Sequence, residues 1–510
     1  MPHSQADIPA QADILALLAS PATHGGVKPR RIETHISTIF LAGAEAWKLK
    51  KAVRLPFLDF TAPEARRQAC EAELAINTLA APHLYLGLVP VTRSADGALA
   101  LGGTGEPVDW LVHMRRFDQS TLFTRLVKAG KVDRHRMNAL TEAVWAFHRN
   151  APRRPDRGGV AGLTWTIDTN AASMDGSILD PTKARRLAEQ SRDWLARVGP
   201  VLEARRGRGL VRQCHGDLHC GNICLFEGQP TLFDAIEFSE NIACIDIFYD
   251  LAFLLMDLDH RGARGLAGYA LNHYLDLSGD YEGAGLLPLF LSLRAGVRAH
   301  VSATTATSAT GAERGKLEAA AHAYLDAALA YLAPPPPRLL AVGGLSGSGK
   351  SRMGRELAPL LGAPAAAVVR TDSLRKQMMG VGLLEKLGPE GYTPEITERT
   401  YQALYDTCAT LLKAGHSAVA DAVFAKPEQR DAIERVAREA GVPFQGLWLE
   451  TPPKLSAQRI QERKANVSDA TVAVLATQLT YDLGIINWPH VRTGGSKRKA
   501  LSDGKAALGL

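Results

Sequence analysis

The octapeptide Gly344-Leu345-Ser346-Gly347-Ser348-Gly349-Lys350-Ser351 constrains this chain more than any other stretch. Two glycines with four residues between them, then Lys and Ser, form a phosphate loop when a strand precedes them and a helix follows. Leu339-Leu340-Ala341-Val342 is a short apolar run fit for a buried strand, and Arg352 to Leu361 has helical character, weakened by Gly354 and stopped near Pro359. Glycines let backbone N–H groups close around phosphate oxygens, and the new helix N-terminus adds donors and a favourable dipole. The expectation is a nucleotide site rather than a glycine-rich turn, with Lys350 on the outer phosphates and Ser351 on Mg²⁺.

The segments that follow extend the same unit. Ala365 to Arg370 reads as a second buried strand ending at Thr371-Asp372, Ser417 to Ala420 as a third ending at Asp421, and Phe444 to Leu449 as a fourth. Strands alternating with helices imply a parallel sheet that binds ligands at the carboxyl ends of its strands, where Asp372 and Asp421 stand. Upstream, Pro334 to Pro337 should form a semi-rigid spacer of about 3 Å per residue, so sites on its two sides are not expected to share a pocket.

With 510 residues the chain exceeds one hydrophobic core, and at about 100 to 200 residues per domain three or so units are expected. Hydrophobic residues at 46% and charged residues at 22% describe an ordinary globular protein. The net charge of +6 is scattered and aromatics are only 6%, whereas a nucleic-acid partner calls for a basic stripe with aromatics. Arg205-Arg206 and Lys497-Arg498-Lys499 are short clusters, the latter read as a solvated end. Six cysteines make no disulfide scaffold, no apolar run reaches about 18 residues, and Met1 to Ser20 lacks a signal peptide's basic start and apolar core. A cytoplasmic protein without membrane or nucleic-acid partners is expected.

In the first half, Asp7 to Leu18 carries a weak helical stripe, and Arg31 to Lys51 alternates as a β-hairpin. Alternation puts Lys48 and Lys50 on one strand face with Ala46, which by itself suggests a solvated face. A helix over Ala62 to Leu79 follows, bearing Glu64, Glu71 and Glu73. A strand lysine with a helical glutamate some 20 residues on is also how kinases hold nucleotide phosphates. Val108 to Arg116 reads as a strand, while Leu122 to Arg149 and most of Thr164 to Glu203 read as helical scaffolding.

The stretch Cys214-His215-Gly216-Asp217-Leu218-His219-Cys220-Gly221-Asn222 is the most informative of this half. Asp217 and Asn222 stand at the separation of the catalytic Asp and metal-binding Asn of a kinase catalytic loop. A hairpin over Ile223 to Phe226 and Thr231 to Phe233 then leads to Asp234, where a second Mg²⁺ carboxylate belongs. Phosphoryl transfer needs such an arrangement because its loose transition state is stabilised by positioning and metal charge. Asp217 would orient and deprotonate an acceptor hydroxyl, and Asn222 and Asp234 would carry the metal. The competing reading is a zinc site, since Cys214, His215, His219, Cys220 and Cys224 crowd together. Zinc sites, however, usually have two separated ligand pairs, and no second Cys/His cluster exists. A buried polar turn is the remaining alternative.

His215-Gly216-Asp217 through Asn222, Asp234, and Asp246 to Leu251 resemble the signature of aminoglycoside phosphotransferase-like kinases, a resemblance covering roughly Ile32 to Leu332. It implies a protein-kinase-like fold with a small β-rich and a larger helical lobe. It further implies Asp217 as catalytic base, Asn222 and Asp234 as Mg²⁺ ligands, and Lys48 with Glu73 as the phosphate-binding pair. Lys50 and Glu71 stay open as alternatives, and no glycine-rich nucleotide loop precedes them.

A second resemblance covers Arg338 to about Pro489. Gly344 to Ser351, Arg370-Thr371-Asp372 with Arg375-Lys376, Tyr392 to Tyr401, Val419 to Phe424, and Arg459 with Arg463 before Ser468-Asp469-Ala470 are similar to small P-loop kinases. That group includes gluconate-kinase-like, zeta-toxin-like and chloramphenicol-phosphotransferase-like proteins. It implies Asp372 as base for the acceptor hydroxyl, Arg459 and Arg463 as lid arginines, and Asp421 as a carboxylate for Mg²⁺ water.

The expected fold is therefore multidomain α+β and α/β. It has an N-terminal helical extension (1–30), a kinase-like domain (31–332; small lobe about 31–117, large lobe about 118–332) and a proline linker (333–337). A P-loop NTPase domain (338–490) and a tail (491–510) complete it. The expected activity is ATP- and Mg²⁺-dependent phosphorylation of small hydroxylated molecules by both modules. The alternatives are a first half that only binds ligand or nucleotide, and a P-loop domain that acts as an ATPase. Neither the acceptors nor the oligomeric state are legible.

Overall fold

The computed structural model describes residues 11–55, 58–462 and 467–510. Its contacts define two compact units, one of Met1–Thr166 with Arg197–Leu254, the other of Ile167–Ala196 with Leu255–Leu510. The division runs within the helix Ile247–His260 rather than at the proline run, so the helices Arg264–Ser278, Leu287–Ser308 and Gly311–Tyr331 cluster with the phosphate loop. Among the described residues no helix is long and apolar enough to cross a membrane.

The first unit opens with a helix, Ala12–Ala19, whose Ile14 and Leu18 are buried; the start of the expected helix, Asp7 to Ala10, lies outside the described residues. An antiparallel six-stranded sheet follows, in the spatial order 30–33, 37–42, 45–50, 106–115, 85–93, 99–101. The expected hairpin is thus part of a three-strand meander. Strand Tyr85–Arg93 escapes sequence reading because Gly87 and Pro90 interrupt it. Its register shifts after Tyr85 and Val91, and Pro90 pairs with Trp110 on one side while on the other its carbonyl accepts from Gly102 N–H at 2.8 Å, just past the end of strand 99–101. The helix Pro63–Ala80 lies on this sheet, tied to it by the buried Arg66–Asp109 ion pair at 3.0 Å. Gln11 donates to Asp109 at 2.7 Å and to the Lys50 carbonyl at 2.9 Å, so the N-terminal segment is pinned to the same spot.

The helical stretch expected over 122–149 is two helices, Phe123–Lys128 and Arg134–Asn150. Gly130 at φ +64° ends the first, and the Asp133 side chain caps the second by accepting from Arg136 N–H at 2.9 Å. Gly159–Met174 and Pro181–Gly207 are helical as read. The hairpin Ile223–Phe226 and Gln229–Leu232 forms as expected.

The second unit contains a five-stranded parallel sheet in the order 367–370, 418–421, 339–343, 444–450, 490–492. Strand Leu339–Gly343 is central and entirely buried, and the phosphate loop leaves its carboxyl end into the helix Lys350–Leu357. Because Arg370 and Val342 both pair with Asp421, the carboxyl ends of three strands lie side by side.

The tail, expected as a solvated end, is instead built into this unit. His490–Arg492 is the fifth strand, and the helix Lys497–Ala507 packs on Lys350–Leu357, with Gly504 facing Met353. Its basic residues face outward while Ala500, Gly504 and Leu508 are buried, a stripe too short and small to read as a core helix.

Two candidate active sites

In the first unit, the pleat puts Lys48 and Lys50 on one face of strand Glu45–Lys50, and that face is buried. The solvated reading fails because a carboxylate waits opposite: Glu73, with no exposed surface, accepts from Lys48 Nζ at 2.7 Å and from Lys50 Nζ. Lys48 also reaches Asp234 at 2.5 Å, whereas Lys50 pairs with Glu237. Glu71 points away and pairs with Arg67 at the surface. Lys48 thus bridges Glu73 to Asp234, and Lys50 bridges Glu73 to Glu237.

Burial alone would push the Glu73 carboxyl up, but Lys48 and Lys50 outweigh it and hold it down at about 2. Burial works against the charge on Lys48 too, and Asp234 with Glu73 overcomes it, raising the ammonium well above its ordinary value. Two lysines thus face three carboxylates, Glu73, Asp234 and Glu237. Burial pushes the Glu237 carboxyl up, while Asp234 is half-exposed.

The hairpin between Asn222 and Asp234 explains their spacing. Phe233 N–H donates to the Asn222 carbonyl at 3.0 Å across its open end, so two positions twelve apart in sequence become neighbours. Asn222 Nδ2 donates to Asp217 Oδ2 at 2.8 Å and to the Asp217 carbonyl at 3.0 Å, which turns its amide oxygen to the other side. Asp234 has φ +65°, a conformation few non-glycine residues adopt. It is held by its N–H to the Tyr85 hydroxyl at 3.0 Å and by Ala235 N–H to Asn77 Oδ1 at 2.9 Å.

Behind the loop, Asp250 is fully buried and accepts from the backbone N–H groups of His215 at 3.0 Å and Gly216 at 2.9 Å, with His148 Nε2 at 3.1 Å. Asp246 makes a two-pronged pair with Arg205 at 2.8 and 2.9 Å. Both acids are buried; Asp250 holds the loop backbone, while Asp246 is committed to Arg205 and to the Phe248 N–H. His148, Cys214 and Asp250 form a tight buried group, but the Asp250 oxygens are committed to backbone. The six cysteines are all buried with free thiols. An oxygen donor set of Asn222 and Asp234 beside Asp217 fits a hard cation such as Mg²⁺, whereas it offers zinc no soft ligand.

In the second unit, Gly344 and Gly347 have φ +138° and +84°, and a Cβ at Gly347 would lie 2.7 Å from the Ser456 carbonyl oxygen. Only glycine allows the loop to fold this tightly. Ser346 N–H donates to Gln478 at 2.8 Å, and Thr493 Oγ1 donates to the Ser348 carbonyl at 3.0 Å. Leu345 and Gly349 complete the turn, and Lys350 Nζ lies across it on the Leu345 carbonyl at 3.1 Å.

Ser351 Oγ accepts from Arg370 Nη2 at 3.2 Å, and Arg370 Nε meets Asp421 at 3.3 Å. Asp372 opens the helix Thr371–Met378 beside that strand end. Arg375 from the same helix stacks on Tyr392 at 4.7 Å and donates to the Gly391 carbonyl at 2.7 Å. Asp469 accepts from Lys376 at 3.1 Å and from the Tyr392 hydroxyl at 3.0 Å, closing that side. Arg459 contacts the loop edge, donating to Thr493 O at 2.6 Å and reaching Gly347 O at 3.5 Å. Arg463 lies outside the described residues. The Ser351 hydroxyl and the Asp421 carboxylate are oxygen donors of the kind a hard cation such as Mg²⁺ would take.

Several site residues gave no sequence signal. Glu237, Tyr85, Asn77 and Gln478 belong to no motif and reach their partners from remote elements; only the proximity of Glu237 to Asp234 could have drawn notice.

Residues 339–481 match a family described as an AAA domain. The uncharacterized protein Rv2004c of Mycobacterium tuberculosis is 30% identical over 489 residues, 92% of this chain and 93% of that one. An adenylyl-sulfate kinase of Myxococcus xanthus is 31% identical over 110 residues, covering 21% of this chain and 55% of its own. A crystal structure of a choline/ethanolamine kinase family protein from Mesorhizobium loti aligns with 63% of this chain and 99% of its own, at 15% identity and a TM-score of 0.39. The chain carries an antiparallel six-stranded sheet with helices in its first unit and, in the part that matches the AAA domain family, a phosphate loop on a five-stranded parallel sheet. Matching over nine-tenths of both chains, it belongs to the same family as Rv2004c of Mycobacterium tuberculosis.

Proposed function

We propose that the protein is a bifunctional phosphotransferase. Residues 31–332 and 338–490 would each transfer the γ-phosphoryl group of ATP, with Mg²⁺, to a hydroxyl of a small molecule. The observation that carries the first activity is the convergence of Lys48, Glu73, Asp234, Asn222 and Asp217 through two ion pairs and the closed hairpin. Lys48 positions phosphate oxygens, Asn222 and Asp234 hold the cation, and Asp217 Oδ takes the acceptor proton. The metal supplies charge neutralisation on the transferring group.

For the second activity, Asp421 and Asp372 lie at adjoining strand ends, and Ser351, on the helix that follows the phosphate loop, is linked to Asp421 through Arg370. Lys350 and Arg459 supply positive charge, and Asp372 orients the acceptor hydroxyl. Asp421 is followed by Ala422 rather than a second acid, which favours transfer to an acceptor over ATP hydrolysis.

The test is a screen of the full chain for ATP-dependent phosphorylation of hydroxylated metabolites and antibiotics, repeated with Asp217→Asn and with Lys350→Ala. Each variant should lose one set of products and keep the other. Should Asp217→Asn lose nothing, the first module is a binding module and transfer belongs to the P-loop part alone.

A further inference from the structure

Arg370 occupies the centre of the second site. The residue is 4% exposed, and its guanidinium meets three groups at once: Ser351 Oγ at 3.2 Å, Asp421 at 3.3 Å and Asp276 at 3.3 Å. The first two are the oxygens that the P-loop reading gives to the cation. The third comes from neither the phosphate loop nor the sheet. Asp276 lies on the helix Arg264–Ser278, more than sixty residues before the loop and on the far side of the proline run in sequence.

That helix is fastened to the strand which bears Arg370. Asn272 Oδ1 accepts from Val368 N–H at 2.6 Å and its Nδ2 donates to the Ala366 carbonyl at 3.1 Å, so it occupies hydrogen-bonding groups of an edge strand. One turn on, Asp276 is 1% exposed. It takes the Ser373 hydroxyl at 2.6 Å and pairs with Arg355 as well as Arg370, while its carbonyl accepts from Gln377 at 2.9 Å. An aspartate with four such partners, two of them cationic, is a fixed charge rather than a filler.

We propose that Asp276 is a positioning residue of the P-loop site: it holds the Arg370 guanidinium and thereby sets how strongly Ser351 and Asp421 take a divalent cation. The inference rests on the P-loop reading of this site. The charges explain the direction. Asp276 and Asp421 balance Arg370 and Arg355, so a cation arriving at Ser351 and Asp421 competes with Arg370 for those oxygens. Asp276 offers Arg370 an alternative anion. Without its charge, Arg370 turns wholly to Asp421, and the buried site gains a net positive charge that opposes the cation.

The experiment is calorimetric ADP binding to the full chain with and without Mg²⁺, Lys350→Ala providing the blank for binding elsewhere. The readout is the factor by which Mg²⁺ tightens ADP binding. Asp276→Asn should reduce that factor about tenfold or more, with metal-free ADP affinity nearly unchanged. Arg355→Gln, which removes one of the two cations paired with Asp276, should increase it. A merely structural Asp276 would lower the melting temperature and leave the factor as in the parent, and that result overturns the proposal. Should Asp276→Asn not fold, Arg355→Gln decides alone, an unchanged factor overturning it. Absence of any Lys350-dependent ADP binding in the parent would instead remove the P-loop reading, and this inference with it.

Discussion

The His215 imidazole donates from Nε2 to the Phe233 carbonyl at 3.0 Å and accepts the Asp217 N–H at Nδ1. It thereby ties the loop that bears the proposed base to the strand end before Asp234. Burial lowers the His215 pKa, so the ring stays neutral and can serve both bonds. With the loop held this way, Asp217→Asn should cut transfer by the first module about 10²- to 10⁴-fold without altering the melting temperature. ATP-dependent product formation and thermal denaturation on the full chain check both parts.

Glu73 and Glu71 separate two roles on one helix. Glu73 neutralises two buried lysines, so Glu73→Ala should destabilise the first unit by about 3–5 kcal/mol. Glu71→Ala, at a surface ion pair, should leave the unfolding curve in place. Equal denaturation midpoints for the two variants would contradict the burial of the Lys48–Glu73–Lys50 cluster.

Lys350→Ala should lower turnover of the P-loop module roughly 10²- to 10³-fold and weaken ATP binding. Asp372→Asn should abolish transfer while ATP affinity survives, because Asp372 is proposed as the base for the acceptor hydroxyl. Calorimetry with ATP beside a transfer assay distinguishes them; lost ATP binding in Asp372→Asn would make it a metal or structural group.

Burial lowers His416 to about 4, and it has the same effect on His300. Each is neutral when folded, while the unfolded chain takes up a proton near pH 6.5. Their contribution is therefore complete above pH 6.5 and is lost as pH falls toward 4. His416→Gln should flatten this dependence, removing up to about 3 kcal/mol of the loss by pH 4. Urea unfolding at pH 7.5 and pH 4.5 measures it.

Removal of residues 494–510 should destabilise the second unit, since the helix Lys497–Ala507 covers Met353 on the phosphate-loop helix and Gln445 donates to the Leu508 carbonyl at 3.0 Å. A lowered melting temperature with weakened nucleotide binding is expected.

The sequence by itself determined what depends on neighbours along the chain. The phosphate loop with its strand and helix, the catalytic-loop spacing from Asp217 to Asn222, the hairpin to Asp234 and the parallel sheet are local patterns, and apolar periodicity with turn residues suffices to specify them. The tertiary structure alone decided which groups meet across long separations. Two lysines on one strand face read as solvent-exposed until a helix brings Glu73 over them. The tail reads as free until a fifth strand, His490–Arg492, and the helix Lys497–Ala507 build it into the second unit. Asp276 has no motif at all, and its carboxylate acquires meaning only because Asn272, one turn earlier, fixes its helix against the strand of Arg370. Such pairings depend on the packing of remote elements and on burial, which turns a surface charge into one that must find a partner.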